Sequence, residues 1–155
     1  MKGNTKIIER LNGLLADELT AVNQYIVHAE MCDNWGFKKL GEFIKQRAIG
    51  EMKHAEKLIE RILFLEGIPE VSTLNKISIG VDIEKQFKND QFAETEAIKI
   101  YNDSIRLCTE LGDNGTRDLL ESILTDEEKH LDWLETQIEE IKQLELKNYL
   151  VEQTD

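Results

Sequence analysis

Proline is nearly missing from this chain, with a single one, Pro69, among 155 residues. Aromatic residues are scarce too, at 6%. Both scarcities count against a β-sandwich and fit a helical protein. There are two cysteines, Cys32 and Cys108, far apart and in no C-x-x-C pair. That spacing excludes a disulfide framework or a thiolate zinc site and reads as two reduced thiols. Basic residues number nineteen against thirty-one acidic, a net charge of −12. A nucleic-acid binder needs a basic face, and none is visible. Most of the acidic charge reads as solvated surface. No apolar run approaches the ~18 residues of a membrane span. The opening ten residues, MKGNTKIIER, lack the apolar stretch of a signal peptide, so the expected home is the cytoplasm.

What is present is helical periodicity. Breakers divide the chain into four long blocks and a tail, all within one domain, residues 1–155. The first block runs from about Thr5 to Asn34 and ends at Asp33-Asn34-Trp35-Gly36. The second runs from about Lys38 to Glu66 and stops at Gly67-Ile68-Pro69. The third runs from near Asp82 to Leu111, before Gly112-Asp113-Asn114-Gly115. Thr116 is placed to cap the fourth, which reaches about Leu144; Leu146 to Val151 suits a short fifth helix. Each block carries an apolar stripe at spacings of three and four, such as Leu40, Ile44, Ala48, Ala55, Leu58 and Ile62 in the second. The first and last links are short and join antiparallel pairs. The middle link, about Gly67 to Val81, can reach ~50 Å when extended. A helix of about 28 residues is only ~42 Å long. The link therefore can traverse the bundle, which predicts an all-α, ferritin-like four-helix bundle with one long crossover.

The stripes are interrupted by ionisable groups at matching places. Glu18 stands between Leu15 and Val22, and Glu94 between Gln91 and Ala97. Glu51 and His54 stand between Ala48 and Ala55, and Glu127 and His130 between Leu124 and Leu131. Four carboxylates in a core repel one another and are costly to desolvate, so something positive must sit among them. No lysine lies on the stripes, and Arg47 is the one arginine near them; a metal pair is the economical answer. The spacings agree: 51 − 18 = 33 and 127 − 94 = 33, while 94 − 18, 127 − 51 and 130 − 54 all equal 76. In Glu-x-x-His the two side chains share one helix face and can hold one ion from one side. A lone Glu-x-x-His means little in so glutamate-rich a chain; the doubled, offset pattern is a template for di-metal carboxylate bundles. Carboxylate and imidazole together suit iron or manganese, and six ligands for two ions leave open positions for dioxygen and water.

Several runs carry a family likeness: Gly50-Glu51-Met52-Lys53-His54-Ala55, Glu60-Arg61-Ile62-Leu63-Phe64-Leu65-Glu66-Gly67, the run from Asp126-Glu127 through His130 to Trp133-Leu134-Glu135, the opening Met1-Lys2-Gly3, and Asn34-Trp35-Gly36. Along essentially its whole length the sequence resembles the bacterioferritins. The resemblance implies that Glu51 and Glu127 bridge two irons, that Glu18 with His54 completes one and Glu94 with His130 the other. It implies a ferroxidase, which oxidises Fe(II) with dioxygen or peroxide, and a homo-oligomeric shell of ~24 subunits built from dimers that stores the ferric product. Met52, beside Glu51, points ~100° away from the core stripe. On the residues alone that is interface packing. The resemblance makes it an axial ligand to the iron of one haem b shared between two subunits, held non-covalently because C-x-x-C-H is absent. A thioether raises a haem's potential, and the implied electron donor is a small ferredoxin. Tyr25, seven residues after Glu18, is either a core tyrosine or, by resemblance, a neighbour of the irons that supplies an electron.

The departures matter as well. Some members of the family carry a histidine and an aspartate on the cavity side of the second helix; Gln46 and Gly50 stand there here. His28 falls off the stripe and is expected at the surface or an interface, and Trp35 and Trp133 are expected to pack. Haem-free ferritins usually lack the second histidine, and rubrerythrins add a cysteine-rich segment missing here. A rubrerythrin-like di-iron peroxidase working as a small oligomer is the alternative function. A shell or haem-carrying protein with a silent metal site is another.

Overall fold

Asn4 opens the first helix by accepting the Lys6 N–H on its side-chain oxygen at 2.8 Å, which satisfies one of the free donors of the first turn. In the computed structural model, which describes residues 1–155, that helix is α1 (Thr5–Asn34). It is followed by α2 (Lys38–Phe64), α3 (Ile83–Glu110), α4 (Asn114–Leu144) and a short α5 (Leu146–Val151). No strand forms. The predicted blocks hold to within three residues at either end. Gly36 follows α1 at φ +89°, a left-handed conformation that glycine adopts without strain. At the end of α2 it is Glu66, not Gly67, that takes the left-handed position, at φ +62°. Gly67 is required for a different reason: a Cβ there would lie 2.7 Å from Ile8 Cγ2.

The cap of α4 differs from the sequence expectation. Asp113 is the capping residue, accepting the Thr116 N–H at 3.0 Å and its hydroxyl at 2.6 Å. Thr116 is buried inside the first turn, where its oxygen also accepts from Arg61 Nε at 2.9 Å. Arg61 Nη2 donates to Asp113 at 3.0 Å, so one guanidinium ties the end of α2 to the start of α4.

Side-chain pairs fix the topology. Arg10–Ser104 and Gln24–Asp90 run in opposite senses along α1 and α3; Arg61–Asp113 and His54–Asp126 do so along α2 and α4. Helices α2 and α3 are therefore parallel, and residues 65–82 between them cross the length of the bundle as predicted. This strap is fastened to one ridge of α1. The N–H groups of Asn75, Ser78 and Gly80 donate to Thr20 (2.8 Å), Gln24 (3.0 Å) and His28 Nε2 (3.0 Å), residues four apart and so in line on the helix. Backbone donors that the strap turns inward against the helix are costly to leave unpaired, which gives that ridge its polar character. His28 is thus fully buried, contrary to the expected surface position. It lies three residues after Tyr25, on the same face, and its Nδ1 is 3.0 Å from Asp90.

The apolar core is in two layers. One gathers Ile7, Leu11, Leu58, Ile62, Leu120 and Ile123. The other gathers Leu40, Ile44, Phe87, Leu134 and, from α5, Tyr149. Fully burying such a side chain contributes ~1.5–3 kcal/mol, and the layers supply the stability that a polar belt between them does not. Trp133 packs as expected, stacked on Phe43 at 4.0 Å. Trp35 does not; it is 37% exposed at the end of α1. No helix is long and apolar enough to cross a membrane.

Candidate metal centre

Between the two layers the four helices bring Glu18, Glu51, His54, Glu94, Glu127 and His130 together, all buried. They form two overlapping quartets. Glu18, Glu51, His54 and Glu127 offer one ligand atom each within 4.8 Å of one another, and so do Glu51, Glu94, Glu127 and His130. Glu51 and Glu127 belong to both. His54 Nδ1 is 3.0 Å from Glu127 and 3.6 Å from both Glu18 and Glu51. His130 Nδ1 is 2.9 Å from Glu94.

Five buried atoms at this level make no well-aligned hydrogen bond: Glu18 Oε2, Glu51 Oε1, His54 Nδ1, Glu94 Oε2 and Glu127 Oε1. Buried polar atoms are nearly always paired, so a convergent set of lone pairs marks a place for a cation. The charges agree. Burial raises the pKa of Glu18, and burial followed by the charges of Glu18 and Glu94 raises Glu51. Glu127 is raised by burial and then by Glu94 and Glu51. Burial also opposes charge on Glu94, but hydrogen bonds with Glu127 and His130 outweigh it and hold that carboxyl at about 2. For His54 burial again opposes charge, and the carboxylates of Glu127, Glu18 and Glu51 overcome it, raising the imidazolium well above its usual range. The metal-free centre therefore holds extra protons where a metal would sit, so the donor set fits dications that displace them.

Two tyrosines close the centre, and the sequence reading found only one. Tyr25 donates its hydroxyl to Glu94 Oε1, which places it beside the centre, the position implied by the resemblance. Tyr101, which the apolar pattern of the third block does not set apart, donates to Glu18 Oε1 at 2.5 Å. The signal was available: 101 − 25 = 76, the offset that relates the other pairs. Each tyrosine engages Oε1 and leaves Oε2 free. Burial first, then the facing glutamate for Tyr101 and Glu94 for Tyr25, raises both phenols well above their usual range, so they stay protonated donors. Asp126, also unforeseen, accepts from His54 Nε2 at 3.0 Å.

A cavity of about 300 Å³ touches all four glutamates and both tyrosines and extends between α1, α3 and the strap to Lys76 and the exposed Phe92. Met52 lies outside all of this. It is 42% exposed on α2, one turn from the equally open Ile49, with its thioether unused by its own core. Gln46 and Gly50 are on α2, and a Cβ at Gly50 would meet only the Arg47 guanidinium, at 3.6 Å. Burial raises the thiol of Cys32 to about 12 and that of Cys108 to about 11, so both are protonated and inert.

A crossover four-helix bundle with a paired carboxylate–imidazole centre is the ferritin-like class, and residues 8–144 match the ferritin-like domain family. The chain is 42% identical over 149 residues to the bacterioferritin of Mycolicibacterium paratuberculosis, covering 96% of this chain and 94% of that one. It is 44% identical to the bacterioferritin of Rhodobacter capsulatus, over 89% of this chain and 86% of the relative. To the bacterioferritin of Brucella melitensis it is 42% identical, over 90% and 86%. The chain belongs to the bacterioferritin family.

Proposed function

We propose that this protein oxidises Fe(II) at the buried centre and stores the ferric product inside a shell of its own copies. The observation that carries the reading is the set of five buried ligand atoms, without a well-aligned hydrogen bond, shared between two overlapping quartets. In this reading Fe(II) is the substrate. Glu51 and Glu127, common to both quartets, bridge the pair; Glu18 and His54 complete one position, Glu94 and His130 the other. The tyrosines orient the terminal carboxylates through Oε1, so that Oε2 faces the metal. Each Fe(II) gives up one electron, and dioxygen or peroxide entering by the cavity accepts them. His54 and the raised glutamates release their protons as the ions arrive. The two apolar layers keep bulk water from the site and strengthen every charge interaction within it.

Met52 fits haem ligation because its thioether is exposed on an outer face, where the Met52 of a second copy can meet it across a twofold axis. A haem b held there by two thioethers would have a raised potential and pass electrons inward from a small ferredoxin to stored iron.

Rapid mixing of the metal-free protein with Fe(II) in air tests the reading. The expected trace has a fast phase that consumes two Fe(II) per subunit, by the two quartets, followed by a slower phase that continues as mineral grows. A single slow phase at the rate of uncatalysed oxidation would refute it.

A further inference from the structure

The two halves of the centre follow the 76-residue offset at four pairs: 18 and 94, 25 and 101, 51 and 127, 54 and 130, with the tyrosines and glutamates hydrogen-bonded crosswise. A fifth pair breaks it. Asp126, immediately before Glu127, reaches from α4 to His54 on α2 and accepts from Nε2 at 3.0 Å. Its counterpart is 126 − 76 = 50, immediately before Glu51, and that residue is Gly50. Glycine has no side chain to reach His130. The bonds of His130 are accordingly one-sided. Nδ1 meets Glu94 at 2.9 Å, while no side chain of the chain hydrogen-bonds Nε2. Two rings also lie beside it, Tyr25 edge-on at 5.2 Å and Trp133 at 6.5 Å.

A carboxylate on the far nitrogen of a metal-binding imidazole fixes the tautomer, holds the ring in place and makes the other nitrogen a better donor. His54 has that support, with Nε2–H on Asp126 and Nδ1 facing the carboxylates. We propose that Asp126 is a positioning residue for His54, and that Gly50 leaves His130 without one, so the two metal positions are unequal: a firm one at Glu18–His54 and a weaker, more mobile one at Glu94–His130. The inference rests on the metal-centre reading above. It gives that centre an order of filling and of release. The ion beside His130 binds last and leaves first, and so is the one positioned to exchange with iron elsewhere in the shell.

Two ions in one centre repel, so unequal affinities in the unaltered protein do not identify the cause. Single-position variants do. His130→Ala keeps only the Glu18–His54 position, and His54→Ala only the Glu94–His130 position. Anaerobic titration of each with Co(II), read by its visible absorption, gives one affinity per variant. Adding Asp126→Ala is expected to weaken Co(II) binding about 10- to 100-fold in the His130→Ala protein and less than about twofold in the His54→Ala protein. Adding Gly50→Asp is expected to tighten binding in the His54→Ala protein. The space at Gly50 is open apart from the flexible Arg47. Equal weakening in both backgrounds would mean that Asp126 acts only through its charge, and no weakening would mean that it does not act; either overturns the inference. No gain from Gly50→Asp overturns the asymmetry. If the unaltered protein binds no Co(II) at all, it is the metal-centre reading that fails.

Discussion

A chain carrying Glu18→Gln and Glu94→Gln together is expected to fold and assemble, yet to oxidise Fe(II) more than about a hundredfold more slowly than the unaltered protein. Each substitution removes the terminal carboxylate of one quartet. Loss of a residue that merely supports a ligand costs about 10- to 100-fold, and loss of a ligand on both ions costs more. Glutamine keeps the shape of the side chain and an oxygen for the tyrosine hydroxyls that now rest on Glu94 and Glu18. Folding is therefore spared, and helical content by circular dichroism checks it. Stopped-flow absorbance of ferric product measures the rate. An unchanged rate would mean that the centre is silent and the protein a structural or haem-carrying shell.

Metal loading is expected to raise stability strongly, and more so at higher pH. At a metal concentration ~1,000 times its dissociation constant the gain is ~4 kcal/mol, or roughly 10 °C in melting temperature for a chain of this size. The pH dependence follows from the direction of the shifts. Glu18, Glu51 and Glu127 have folded-state pKa values above their ordinary value, as does His54 above its own. The folded, metal-free protein therefore binds more protons than the unfolded chain. The stability these groups contribute is complete below their unfolded values and is lost as pH rises through the folded ones. Glu94, held at about 2, acts in the opposite sense, and its contribution is lost only in acid. Metal displaces the extra protons, so its affinity climbs with pH. Differential scanning calorimetry of metal-free and Co(II)-loaded protein between about pH 5 and 8 should show the metal-free transition falling and the gap widening. A metal-free transition that rises across this range would contradict the account.

Much of this was legible in the sequence because helices and clusters leave periodic traces. Breakers located the helices, the long middle link predicted the crossover, and four glutamates and two histidines at core spacing named the six residues that the structure brings together. What escaped did so for physical reasons. Tyr101 is as much at home in an apolar stripe as an isoleucine, and only the repeat of 76 residues distinguishes its hydroxyl. His28 looked peripheral because it falls off the stripe that carries Glu18 and Tyr25; the face is wide enough to include it, and its partner is a strap with no periodicity. Asp126 is 48% exposed on its side chain and reaches inward from the flank of the core stripe, so hydrophobic pattern carries no record of it. The capping of α4 turned on three-residue geometry, in which Asp113 precedes Thr116.

Storage by a shell and ferroxidation at the centre meet in one measurement: the native mass of the purified protein together with its iron content after repeated Fe(II) additions in air. The account predicts a particle of ~24 subunits that takes up far more iron than the two ions its paired quartets hold per subunit, with a haem Soret band that Met52→Leu abolishes. A dimer that stops at two ions per subunit would contradict storage and favour a peroxidase-like role for the same bundle.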